Sequence, residues 1–76
     1  MIMERMIELR VLRENKELTR DDLAKLSGVS KANIEALEMG KTIVENVKLS
    51  TLIKLSTALK VKVVDLLPKD LHRYIR

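Results

Sequence analysis

The sequence predicts an all-α fold, five helices around a central helix-turn-helix. Apolar residues recur at three- and four-residue spacing, two N-cap signals stand close together on either side of a glycine, and the apolar content is almost wholly aliphatic. At 76 residues without an internal repeat, the chain has room for one domain. We assign that domain to residues 1–68, with the helix-turn-helix at about 19–39 and a C-terminal tail at 69–76 that either packs on a partner, such as a second copy, or frays. No cysteine is present, so neither a disulfide framework nor a thiolate metal site is available, and Leu, Ile, Val and Met must supply the core.

Met3, Met6, Ile7, Arg10, Val11 and Glu14 mark a first amphipathic helix running to about Asn15, with Met1, Met3 and Met6 read as core. Asn15 is suited to the left-handed conformation that closes a helix. A new start follows at once. Thr19 precedes Arg20, Asp21 and Asp22, so its hydroxyl can accept a first-turn amide while Asp22 reaches back to the Thr19 amide. Leu18 and Leu23 occupy the two positions of a hydrophobic staple. Gly28 ends this second helix, and Ser30 caps a third that begins at Lys31. Val29 and Ile34 repeat the staple, Leu37 continues the buried stripe, and Gly40 supplies the next stop. Ala24, on the inner side of helix two, leaves room for helix three to approach.

Residues 41–48 read as a loop. Leu49, Leu52, Ile53, Leu55, Ser56 and Leu59 give a fourth helix, and residues 63–67 a short fifth one ended by Pro68. In the tail, Leu71, Tyr74 and Ile75 have helical spacing, and His72 and Tyr74 are read as surface or dimer-contact residues.

The formal charge of +4 fits an anionic partner, but its placement is more informative. Between residues 19 and 40, Arg20, Lys25 and Lys31 are outnumbered by Asp21, Asp22, Glu35 and Glu38. The excess lies downstream, on Lys41, Lys48, Lys54, Lys60, Lys62, Lys69, Arg73 and Arg76. Tyr74 is the one aromatic residue, so the stacking platform used by single-strand binders is missing and duplex DNA is favoured. No apolar run reaches the length of a signal peptide or membrane span, and a cytoplasmic protein is the simplest reading. With a single histidine, no cysteine and no glycine-rich phosphate loop, nothing assembles a metal site or a catalytic acid-base pair. No enzyme, cofactor, metal or small-molecule substrate is expected. Glu38 is read as a structural ion pair or loop-amide acceptor rather than a functional acid.

The run from Leu18 through Lys31, followed by Ile34, Leu37, Glu38, Gly40 and Lys41, resembles the Cro and cI phage-repressor type of helix-turn-helix, the lambda repressor-like family. The resemblance extends over about residues 4–67. It implies a compact five-helix DNA-binding domain, usually dimeric, in which helix three enters the major groove and helix two lies across the phosphate backbone. Such dimers read half-sites about one helical turn apart. Carried over by position, Thr19, Arg20 and Ser30 contact phosphate, and Lys31, Ala32, Asn33 and Ala36 face the groove. Lysine can donate to guanine or to phosphate, asparagine can pair with an adenine edge, and alanine can touch a thymine methyl. Lys41 and Lys48 would clamp phosphates, adding affinity and salt dependence. The chain departs from the pattern at Glu35, where a small polar residue is common, and at Ala36 and Met39, which replace frequently basic positions. It departs also in a longer segment after Gly40, and at Lys62, which lacks a capping hydroxyl.

Two functions are therefore expected. The first is a sequence-specific transcriptional regulator, repressor-like, bound to double-stranded DNA as a homodimer. The second is a protein-binding module on the same fold, such as an antitoxin or accessory-factor subunit, supported by Glu35, the non-basic helix three and the apolar tail.

Overall fold

A computed structural model describes residues 7–42 and 44–68. Among them are five α-helices, α1 (Leu9–Asn15), α2 (Arg20–Ser27), α3 (Lys31–Glu38), α4 (Leu49–Leu59) and α5 (Val63–Leu66), with a 3-10 turn at Val44–Asn46 and no strand. The expected all-α, five-helix architecture is what the chain adopts. The methionines at positions 1, 3 and 6 and the whole 69–76 tail lie outside the described residues.

The caps explain where the helices stop and start. Thr19 Oγ1 accepts from the Asp22 amide at 3.0 Å, and the Asp22 carboxylate accepts from the Thr19 amide at 3.0 Å, so both halves of the anticipated capping box form. Ser30 Oγ accepts from the Asn33 amide at 3.2 Å. Gly28 closes α2 at φ 79°, its amide donating to the Ala24 carbonyl, and the chain needs only Val29 and Ser30 before α3 begins. Glycine suits this position because a left-handed backbone costs an L side chain about 1–2 kcal/mol.

The end of α1 differs from expectation. Asn15 stays helical, and the left-handed residue is Glu17, at φ 57°. The Glu17 amide donates to Glu14 and the Leu18 amide to the Arg13 carbonyl, a closure that carries the helix through Asn15 and delivers Leu18 to its staple position. The α1 stripe is also rotated from the one the spacing suggested. Leu9 and Arg13 are buried and Leu12 packs on the core, whereas Arg10 and Glu14 are exposed and Val11 is 55% exposed. Ile7 is buried, but it precedes the helix, so counting helical turns from it selects the wrong face.

Leu9, Leu23, Ile34, Leu55, Leu59 and Leu66 are essentially inaccessible and form the centre of a core whose apolar members, among the described residues, are all aliphatic. The residues of both staples contribute, with Leu23, Val29 and Ile34 in this cluster and Leu18 packed against it. The fourth helix packs on α2 and α5, and α3 packs on α2 and α1. The Glu8 amide donates to the Leu66 carbonyl at 2.7 Å, which ties the entry to α1 onto α5. The fifth helix ends one residue earlier than expected, at Leu66. In place of a capping hydroxyl before it, the Asp65 carboxylate accepts from the Lys62 amide at 2.9 Å. No helix among the described residues is long and apolar enough to cross a membrane.

Candidate nucleic-acid interface

The third helix presents its outer face between two depressions. On one side Asn33 and Ala36 meet Thr42, Asn46, Val47, Lys48 and Thr51 across a cleft. On the other, Lys31 and Glu35 face Thr19, Arg20 and Asp21 of the α2 entry, with Arg13 behind them. Lys31, Ala32 and Asn33 are exposed and Glu35 and Ala36 are half-buried, so the outer face of α3 carries short side chains apart from Lys31 and Glu35.

Of the nine residues singled out from sequence, the structure brings Asn33, Ala36 and Lys48 together in the first depression and Thr19, Arg20 and Lys31 in the second. Ser30 and Ala32 stand exposed at the start of α3. Lys41 is exposed and lines neither depression. Its amide donates to the Ala36 carbonyl at 2.9 Å, so its backbone finishes α3. Thr42, Asn46 and Thr51 escaped the sequence reading. They are ordinary polar residues, and only the packing of the chain after α3 and of the start of α4 brings them to the side of Asn33.

Thr19 and Ser30 use an acceptor lone pair in capping, and a hydroxyl keeps its O–H hydrogen to donate to a phosphate oxygen. Lys48 occupies the N-cap position of α4 with no side-chain cap bond, its backbone fixed by the bond from the Leu52 amide to its carbonyl.

Arg20 has a second role that its position alone did not disclose. Glu38, at the end of α3, has no side-chain exposure. It accepts from Arg13 Nε at 2.6 Å, Arg13 Nη2 at 3.0 Å and Arg20 Nε at 2.9 Å. Arg13 Nη1 also donates to the Leu18 carbonyl at 2.7 Å. Glu38 is thus the structural acid expected of it, clasped by two guanidinium groups. Burial pushes its carboxyl up, but the hydrogen bonds and charges of Arg13 and Arg20 outweigh this and hold it below the usual carboxylate range. The Arg13 guanidinium is in turn held charged by Glu38, against burial. The Asp22 carboxyl is lowered by the backbone and side-chain hydrogen bonds of Thr19.

Two cations beside the second depression also have acidic neighbours. Lys31 Nζ lies 3.5 Å from Asp21 Oδ1, and Arg20 Nη1 lies 3.8 Å from Glu35 Oε2. The groups around the second depression are therefore balanced, with Arg13, Arg20 and Lys31 against Asp21, Glu35 and Glu38.

Comparison with known proteins points the same way as this geometry. The family model of the Cro/C1-type helix-turn-helix DNA-binding domain matches residues 8–68. The chain is 48% identical over 54 residues to the HTH-type transcriptional repressor RghR of Bacillus subtilis (strain 168), a match covering 71% of this chain but only 38% of that protein. Among solved structures, it is similar to the restriction-modification controller protein C.AhdI from Aeromonas hydrophila, with 38% identity, a TM-score of 0.69, and 76% of this chain and 83% of that one covered. It is also similar to a hypothetical transcription factor, NHTF, from Neisseria, with 28% identity, a TM-score of 0.69, and 90% and 76% coverage.

Proposed function

Because this chain belongs to the Cro/C1-type helix-turn-helix DNA-binding domain family, we propose that it is a repressor-like transcriptional regulator that binds duplex DNA through α3, and that it works as a homodimer in the cytoplasm. The observation that carries this reading is the outer face of α3, short-chained and flanked by polar walls. A helix seated in the major groove needs close approach for base contacts and donors on both sides for phosphates.

In this reading Lys31 donates to a guanine edge and to the phosphate beside it, Asn33 meets an adenine edge, Ala32 and Ala36 touch thymine methyls, and Thr19, Ser30, Lys41 and Lys48 hold phosphates. Arg20 contributes the outer part of its guanidinium, which is about one-third exposed, while its Nε stays on Glu38. Four positions read few bases, and pairing two copies on an inverted repeat doubles what is read.

Selection from a random duplex pool at two salt concentrations tests the reading, with Lys31→Ala and Asn33→Ala as variants. The expected result is an enriched inverted repeat, a salt slope reduced by about 1 in Lys31→Ala, and a loss of about 1–3 kcal/mol at one base position in Asn33→Ala. Arg20→Ala is a poor probe because it also strips Glu38 of a partner.

One observation favours the protein-binding alternative. Leu26 and Ile53, 61% and 47% exposed, line a shallow groove with Ala58, formed from α2 and α4 and sharing no residue with either depression beside α3. Absence of any enriched duplex, or binding indifferent to both α3 substitutions, would turn the assignment to that groove.

A further inference from the structure

The cations at the α2 and α3 entries are held by acids on the same face. Lys31, the first residue of α3, sits where the helix dipole disfavours positive charge, and the first turn of α3 contains no acid of its own. The counter-charge comes across from α2, from Asp21 at 3.5 Å. Glu35, one turn further along α3, lies 3.8 Å from Arg20. Exposed pairs of this kind contribute little to folding, about 0–1 kcal/mol, so stability gives a weak reason for them.

Building on the DNA-binding reading above, we infer that Asp21 and Glu35 determine specificity by suppressing the attraction of the α2–α3 face for phosphate. Non-specific binding draws nearly all its free energy from cation–phosphate contacts and counterion release. A lysine that must leave Asp21 to meet a phosphate exchanges one anion for another and gains little. Both carboxylates also repel any backbone laid across them. On the correct site the balance differs, because Lys31 there leaves Asp21 for guanine acceptors and Asn33 adds its adenine contact, gains that a wrong sequence does not offer. The acids thus weaken wrong complexes more than the right one, which makes them part of discrimination without being part of the grip.

The test compares the wild-type chain with Asp21→Asn/Glu35→Gln on the selected duplex and on a scrambled duplex of equal length, each across a salt series. Glu14→Gln serves as a control, since Glu14 is an exposed carboxylate paired with Arg10 on α1. Thermal melts check that the amide variants fold. We expect affinity for the scrambled duplex to rise about tenfold in the double variant, its salt slope to steepen by about 1–2, and the ratio of selected to scrambled affinity to fall. Unchanged scrambled binding, or an equal rise in Glu14→Gln, overturns the inference while leaving the DNA-binding reading intact. Failure of the wild-type chain to bind either duplex overturns both.

Discussion

Replacing Glu38 by Gln keeps the shape of the side chain but removes its charge and sets an amide NH2 against guanidinium donors. Arg13, whose side chain is 10% exposed, then keeps the Leu18 carbonyl but loses its main counter-charge. Removing one partner of a buried ion pair costs about 3–5 kcal/mol. Arg20 is about one-third exposed, so water screens its share, which places the cost at about 3 kcal/mol. At roughly 0.05–0.15 kcal/mol per residue, a chain of 76 residues has a total stability of roughly 4–11 kcal/mol. Glu38→Gln should therefore remove between a quarter and three quarters of it. At roughly 4–8 °C per kcal/mol for a domain this small, Tm falls by about 12 °C or more, read by circular dichroism with urea titration as the equilibrium measure. The double variant Arg13→Met/Glu38→Leu, which replaces charges with apolar volume, should lose less than Glu38→Gln alone. A loss below about 1 kcal/mol for Glu38→Gln, or a larger loss for the apolar pair, would refute the view that the clasp is a buried, mutually dependent unit.

Acid should unfold the domain through the same groups. The Glu38 and Asp22 carboxyls titrate lower in the fold than in the unfolded chain, so the unfolded chain binds more protons, and their stabilisation is complete above the ordinary carboxylate pKa and lost as pH falls through the folded values. Melts across an acid series should show that decline, and a decline of the same depth in Glu38→Gln would exclude Glu38 as a source. Gly28→Ala should lower stability by about 1–2 kcal/mol through its left-handed backbone alone, since an added Cβ meets nothing within 4 Å. Glu17→Gly should act oppositely, raising Tm by a few degrees, because Glu17 holds a left-handed backbone at φ 57° that glycine adopts without a Cβ penalty. A fall in Tm there would mean that the Glu17 side chain does more than tolerate its backbone.

The parts of the fold legible in sequence were those set by local chemistry. Thr19 with Asp22, Ser30 before Lys31, and Gly28 each act within a few residues, so α2 and α3 could be bounded before any tertiary contact was known. The α1 face was misread because Ile7 is buried from outside the helix and because Arg13, a charged residue, faces inward. No hydropathy count expects an arginine in a core, and the acid that admits it lies 25 residues away in sequence. The site shows the same division. Lys31, Asn33 and Ala36 follow by position from the resemblance to the Cro and cI type, whereas the approach of Thr42, Asn46 and Thr51 to Asn33 depends on how the chain after α3 and the start of α4 pack beside that helix. The attachment of Arg20 to Glu38 was hidden for a further reason, since an arginine at a helix entry suits phosphate and carboxylate equally well.

The clasp joins the body of α1, the first residue of α2 and the last residue of α3 through one carboxylate. In kinetic terms, α3 has no inexpensive way to detach, since opening it alone would strand two guanidinium groups and a carboxylate. Its inner amides should therefore exchange with deuterium only when the whole domain unfolds, at the same rate as those of α1 and α2. A helix held in that way meets its partner already ordered, so complex formation immobilises side chains rather than backbone, and added DNA should slow exchange evenly across the three helices.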